Sequence, residues 1–300
     1  MPFPEFTNHH QPEIVKHYCN DSLVDIRCDI KEGDSATVLQ QINDNTVDLI
    51  VTSPPYADAR KNTYGGVSPE KYVDWFLPIS EQLLRVIKPT GTFIQNIKEK
   101  CVDGERSEYV MDLVKALRRQ GWRWTEEFIW HKSNPFPGKY PDRFRDAWEH
   151  LFQFNKTKQF NMYQDAVKVP SRDSSIKKSQ RIQTLIRAKA GSRYIQNRVM
   201  SVTGSGFDCS RNVKIGNTAY PANVLYASVE TTSKQHPAVF PESIPEFFVK
   251  LFTVECDLVL DPFLGSGTSG VVARRLKRNF IGIEQKPEYI EIARKRIFRT

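Results

Sequence analysis

A serine, two prolines and a tyrosine stand together at Ser53-Pro54-Pro55-Tyr56. Their types suit one demanding task, which is holding an amino group conjugated with an aromatic ring. Such a nitrogen is a poor nucleophile. It reacts only if acceptors around its N–H groups turn its lone pair toward an electrophile. The Ser53 hydroxyl and the Pro54 carbonyl are suitable acceptors, and prolines hold the backbone so that both oxygens are preorganised. The Tyr56 ring can stack on a base taken out of a duplex. In isolation S-P-P-Y would read as an ordinary proline-rich turn. Here it directly follows Val47-Asp48-Leu49-Ile50-Val51, a short β-branched run that reads as a buried strand. Two successive prolines cannot extend that strand or enter a helix interior. Ser53 to Tyr56 is therefore expected on a loop at the strand's carboxyl end.

A second stretch, Asp261-Pro262-Phe263-Leu264-Gly265-Ser266-Gly267-Thr268-Ser269-Gly270, follows another apolar run and opens a helical pattern. Glycines let the backbone approach a ligand, and free N–H groups at a helix start can meet a carboxylate or a phosphate. Glu284 ends the next predicted strand, where its carboxylate can accept from ribose hydroxyls. Gly265, Gly267 and Gly270 also spell G-x-G-x-x-G, and the acid lies 19 residues beyond Gly265, which fits dinucleotide binding on spacing alone. Asp261-Pro262 discriminates. A pyrophosphate needs a helix N-terminus with no acid beside it, whereas Asp261 can pair with an ammonium group. S-adenosyl-L-methionine carries both an ammonium and a ribose. Gly267→Asp is accordingly expected to abolish its binding while the fold survives.

Alternating strands and helices must position these loops. A helix is expected from about Pro69, with Trp75, Phe76, Ile79, Leu83, Val86 and Ile87 at three- and four-residue steps, stopped by Lys88-Pro89-Thr90-Gly91. A strand follows over 91–97. Met111, Val114 and Leu117 mark a helix ended by Gly121, and two strands follow at 122–131 and 150–155. Phe247, Phe248, Leu251 and Phe252 face one way on a later helix. A strand at 258–260, a helix carrying Val271, Val272 and Leu276, a strand at 280–283 and a helix from Pro287 complete the pattern. The first 30 residues show no clear period. The alternation argues for an α/β fold with a mostly parallel, helix-covered sheet. Ligands of such sheets bind beyond the carboxyl ends of strands, so both loops are candidates for one crevice.

With these motifs in this order, the chain resembles a beta-group type II amino-methylating DNA methyltransferase over most of its length. Thr52 to Tyr56 matches that family's catalytic loop, Asp261 to Thr268 its cofactor loop, and Glu284 its ribose acid. Gly33-Asp34 resembles the segment where an acid meets the cofactor adenine. Trp130 to Pro135 with Asp142-Arg143-Phe144 resembles the loop flanking a flipped base, and His236-Pro237 with Phe240-Pro241 the stretch before the cofactor-side helix. The resemblance implies a Rossmann-like fold with an inserted target-recognition region. It divides the chain into a catalytic half (1–155), a basic target-recognition region (156–235) and a cofactor-binding half (236–300). Catalysis then falls to Ser53, Pro54, Pro55 and Tyr56. Cofactor contacts fall to Asp34, Thr52, His236, Pro237, Phe240, Asp261, Pro262, Phe263, Gly265, Gly267, Thr268 and Glu284. Members with serine opening the catalytic loop usually methylate cytosine N4, and those with aspartate adenine N6. N4 of cytosine is thus the expected target, with adenine N6 the alternative. Double-stranded DNA is the implied partner, in a restriction–modification setting where a cognate endonuclease would act separately.

Charge agrees. Of a formal +8, residues 156–214 hold 13 Lys and Arg against 3 Asp and Glu, so the rest of the chain carries −2. Lys177, Lys178, Arg181, Arg187 and Arg193 in that segment are the candidate phosphate contacts. An RNA substrate and a catalytically silent DNA-binding regulator stay open as alternatives. Redox chemistry on a nicotinamide is opposed by Asp261-Pro262. The five cysteines, odd in number and never at C-x-x-C spacing, suggest neither a disulfide framework nor a zinc site, and no metal is implied. No basic n-region precedes an apolar run at the start and no stretch reaches about 18 apolar residues, so a soluble, cytoplasmic protein is expected.

Overall fold

β-Branched apolar runs alternating with amphipathic stretches produce a sheet clad in helices. The computed structural model describes residues 13–19, 22–58, 66–135, 143–171, 218–229 and 241–298. Asp142, His236, Pro237, Phe240 and the basic side chains Lys177, Lys178, Arg181, Arg187 and Arg193 lie outside them. The chain divides into two compact units, Met1–Tyr163 with Asn223–Thr300, and Gln164–Ala222.

The larger unit begins with an antiparallel pair, β1 (Glu13–Cys19) and β2 (Ser22–Glu32), where no period was legible in the sequence. A short helix α1 (Ser35–Leu39) leads to β3 (Val47–Thr52), and α2 (Pro69–Val86) runs into β4 (Ile87–Ile97). A small hairpin, β5 (Cys101–Val102) with β6 (Glu105–Arg106), precedes α3 (Tyr109–Gln120), β7 (Arg123–Lys132) and β8 (Trp148–Asn155). In the smaller unit a 3-10 turn (Gln164–Val167) and a pair of two-residue strands, β9 (Val169–Pro170) and β10 (Thr218–Ala219), are described. Back in the larger unit come β11 (Val224–Ala227), α4 (Ser243–Phe252), β12 (Leu258–Asp261), α5 (Thr268–Arg275), β13 (Asn279–Glu284) and α6 (Pro287–Ile297).

Nine strands join in the order β1-β2-β13-β12-β3-β4-β8-β7-β11. Neighbours from β2 through to β4 run parallel, as does the β7–β11 pair, while β8 is antiparallel to both its neighbours. The mostly parallel sheet expected from the alternation is present. β3 is buried at every position. Asp48 within it accepts from Lys88 Nζ at 2.7 Å and from the Leu258 N–H at 3.0 Å, tying β3 to β4 and β12.

Three expectations about the fold need correction. Lys88 to Gly91 do not separate helix from strand, because β4 already begins at Ile87, paired with Val47. Gly91 permits this: a Cβ there would lie 2.9 Å from the Asp48 carbonyl oxygen. In α3, Met111 faces outward, and Tyr109, Val110, Leu113, Val114 and Leu117 make the buried face. Gly121, at φ 114°, takes the left-handed conformation that ends this helix. Cys256 is disulfide-bonded, contrary to the reading of cysteine spacing, since sequence separation does not register proximity in space.

Candidate active site

β3 and β12 are adjacent and parallel, with Leu49 opposite Val259 and Ile50 opposite Leu260. The loops that follow them therefore emerge side by side at one edge of the sheet. A hydrogen bond of 2.6 Å from Thr52 Oγ1 to Asp261 Oδ1 joins them directly. The two loops expected to share a crevice thus lie side by side.

Asp261 was expected to face a ligand ammonium. It is 2% exposed and engaged by the protein instead. Oδ1 also accepts from the Phe263 N–H at 3.0 Å, and Ser269 Oγ donates to Oδ2. Burial pushes its carboxyl pKa up, and these donors oppose that shift. Its contribution to the loop is thus to fold it and fasten it to β3. Glu284 is likewise drawn in: Oε2 accepts from the Gly265 N–H at 2.9 Å, and Oε1 from the N–H groups of Gln285 and Lys286, each at 3.0 Å. Desolvation raises its pKa, and those backbone donors oppose the rise. Pro262 accepts from Ser35 Oγ at 2.5 Å. Arg296 Nη1 staples the turn through Ser266 and Thr268 Oγ1.

Most of the loop is consequently buried in protein, and Phe263 and Gly265 are its half-exposed residues between Asp261 and Gly270. Gly265 has φ 52°. Phe263 packs on Trp75 and Phe76 at centroid separations of 5.8 and 6.3 Å. Trp75 also lines an open cavity of about 660 Å³ with Val67, Ser68 and Lys71. Asp34, exposed after β2, caps α1 through Oδ1, which accepts from Ala36 and Thr37 N–H. Gly267 serves packing, because a Cβ there would meet Ala293 of α6 at 2.9 Å. The expectation that Gly267→Asp spares the fold therefore fails: the added atoms meet a helix.

In the loop after β3 Pro54 is buried, and Ser53, Pro55 and Tyr56 are half-exposed. Tyr72 Oη donates to the Pro55 carbonyl at 2.9 Å and fixes the loop from α2. Ser53 Oγ lies 3.3 Å from Tyr56 Oη. Tyr56 Oη in turn reaches Glu149 Oε2 at 2.6 Å and Asn96 Oδ1 at 2.9 Å. Asn96 Nδ2 donates to Glu149 Oε2 at 3.1 Å, and Lys132 Nζ to Glu149 Oε1 at 2.5 Å. Burial first, and then the Glu149 charge, push the Tyr56 phenol well above its ordinary pKa, so it stays protonated. Asn96, Glu149 and Tyr72 had escaped the sequence reading. The available signal was an acid at the start of the aromatic run of β8, where a buried charge demands partners.

The described residues of the stretch that resembled a base-flanking loop, 130–135 and 143–144, follow β7 and precede β8. Asn134 bonds both backbone groups of Val229, Arg143 pairs with Asp146, and Phe144 is 92% exposed.

Residues 47–295 match the N6/N4 methyltransferase family model, described as DNA methylase. The type II methyltransferase M.PvuII of Proteus hauseri is 30% identical over 280 residues, 86% of this chain and 80% of that protein. M.BglII of Bacillus subtilis is 30% identical over 272 residues, 88% of this chain and 67% of that protein. Among solved structures, the PvuII DNA methyltransferase (cytosine-N4-specific) superposes with a TM-score of 0.64 at 26% identity, covering 90% of this chain and 86% of that one. A SAM complex of M1.HpyAVI gives 0.54 at 20% identity, covering 91% of this chain and 100% of that one, a likeness of fold.

Proposed function

The chain belongs to the N6/N4 DNA methylase family, and from that premise we propose that it methylates the exocyclic N4 of cytosine in duplex DNA. S-adenosyl-L-methionine supplies the methyl group on a sulfonium, which keeps the S–C electron pair when the methyl leaves. The observation that carries the proposal is the Thr52–Asp261 hydrogen bond, which fastens the acceptor-bearing loop to the Gly-rich loop. The residues fit such a donor. Asp34, Phe263 and Gly265 retain exposed surface at the carboxyl ends of β2 and β12, which flank β13 and its Glu284. Thr52, Pro262, Gly267 and Thr268 hold the loops' shape, with His236, Pro237 and Phe240 outside the described residues.

Ser53 Oγ and the Pro54 carbonyl accept from the two amino hydrogens, and the Tyr56 face supports a base turned out of the stack. The nitrogen lone pair would form the new N–C bond, and one N–H proton would then pass from the methylated nitrogen to solvent water. No cysteine stands in the loop to attack a cytosine ring, which disfavours a covalent route to C5. Ser53 as the first loop residue favours N4, as does the cytosine-N4-specific name of the PvuII structure. The family spans both targets, and adenine N6 is the second reading.

Incubation with labelled S-adenosyl-L-methionine and mixed-sequence DNA, then digestion and mass spectrometry, should yield N4-methylcytosine. N6-methyladenine would replace the base but keep the mechanism. 5-Methylcytosine would overturn both. Ser53→Ala should lower kcat by about 10²- to 10³-fold, as for other preorganised polar groups at a reacting centre. Calorimetry should find its affinity for S-adenosyl-L-methionine unchanged.

A further inference from the structure

A serine hydroxyl can accept or donate, and toward a base amino group only acceptance is productive. We propose that Glu149 is a positioning residue that forces Ser53 to accept, acting through Tyr56. The inference rests on the reading of Ser53 as an acceptor for the target amino group.

Tyr56 has one phenolic proton. Two acceptors claim it from below, Glu149 Oε2 at 2.6 Å and Asn96 Oδ1 at 2.9 Å. Asn96 is oriented for this, because its Nδ2 is occupied by Glu149 Oε2 and the His150 carbonyl. The phenol therefore has nothing left to donate to Ser53, 3.3 Å away. Of the two hydroxyls, Ser53 must be the donor. With its proton directed inward, Ser53 presents lone pairs to the crevice. The order is fixed by charge at its far end. Glu149 is 6% exposed, and its second oxygen is held by Lys132 Nζ at 2.5 Å. A buried carboxylate that accepts from Lys132, Asn96 and Tyr56 cannot reverse the chain, since an ionised carboxylate only accepts. Each donor–acceptor pair also polarises the next, so a neutral serine becomes a stronger acceptor than it would be alone.

The three links come from three elements: the loop after β3, the carboxyl end of β4 and the start of β8. Neither Glu149 nor Asn96 needs to touch the base.

The test is a double-mutant cycle on the full chain, with nucleoside product, kcat, KM for DNA and Tm measured for each variant. Tyr56→Phe keeps the ring and removes the relay hydroxyl. Glu149→Gln keeps the shape but offers Tyr56 an amide that can donate. Each single variant should lose roughly 10- to 100-fold in kcat, with KM for DNA within about twofold and S-adenosyl-L-methionine affinity unchanged. The double variant should be no slower than the slower single one. Multiplicative losses, or full kcat in Glu149→Gln, would overturn the relay. If Glu149→Gln fails to fold, Tyr56→Phe decides alone, and wild-type kcat in that variant sinks the proposal. If the wild-type chain forms neither N4-methylcytosine nor N6-methyladenine in this assay, the underlying reading falls and takes the relay with it.

Discussion

At Gly267 the backbone φ is 84°, and a Cβ would lie 2.9 Å from Ala293 Cβ and 3.0 Å from its Cα. Both terms oppose any side chain: the left-handed conformation costs about 1–2 kcal/mol, and overpacking typically about 1–3 kcal/mol. Gly267→Ala should therefore destabilise the fold by about 2–5 kcal/mol, read as a lower urea midpoint with unchanged slope. An unchanged midpoint would mean that α6 yields. The position shows where single-residue reading stopped. Gly265, Gly267 and Gly270 looked alike as a ligand cradle. Gly270 would meet Ile297 and Phe280, so two of the three glycines serve a helix contact that no local pattern reveals. The loop carrying Ser53 and Tyr56 was legible as a loop because prolines and an abrupt strand end are local signals. Glu149, 93 residues from Tyr56, was not.

Elements meet at His150 on β8. Its Nε2 contacts Glu99 Oε1 at 2.5 Å and its Nδ1 contacts Glu127 Oε1, on β7, at 2.6 Å. Only an imidazolium donates from both nitrogens. Burial disfavours that charge, but the two carboxylates outweigh it and raise the His150 pKa above its ordinary 6.5. Glu99 is correspondingly lowered, first by its bond to His150, with Arg106 adding a smaller pull. A raised histidine pKa stabilises fully below about pH 6.5, and that contribution fades as pH climbs through the folded value. A lowered carboxylate pKa stabilises above its ordinary value and fades as pH falls through the folded one. The clamp is thus strongest in mildly acidic solution. His150→Gln should cost roughly 1.5–3 kcal/mol near pH 6, and less at pH 9, in parallel denaturation series. Equal losses at both pH values would show that the ring is held neutral. Helices and strands beside this clamp were largely legible from their periods. The β1–β2 pair was not, for lack of a period, and the junction of α2 with β4 was missed because Pro89 and Gly91, ordinarily breakers, lie within a strand.

Across the whole molecule, charge is segregated. Residues 156–214 hold a net of +10 in a chain of +8, so the remainder carries −2. On the proposed function, the concentrated basic segment would attach DNA electrostatically and the near-neutral remainder would carry the chemistry. The charge segregation was legible because net charge needs only composition, and composition carries no base information, since phosphate contacts give affinity and register alone. Each phosphate neutralised by a lysine or arginine releases condensed counterions, so log K falls with log salt by about 0.9 per contact. Replacing Lys177, Lys178 and Arg181 together by glutamine should therefore weaken duplex binding and flatten that dependence by up to about 2.7, if each side chain meets one phosphate. Affinity for S-adenosyl-L-methionine should not move, because the Gly-rich loop is fastened to β3 and α6 without them. Fluorescence anisotropy of a labelled duplex across a salt series measures the slope. A weakened affinity with the wild-type slope would place these side chains away from the phosphates, and an unchanged affinity would remove the basic segment from DNA attachment altogether.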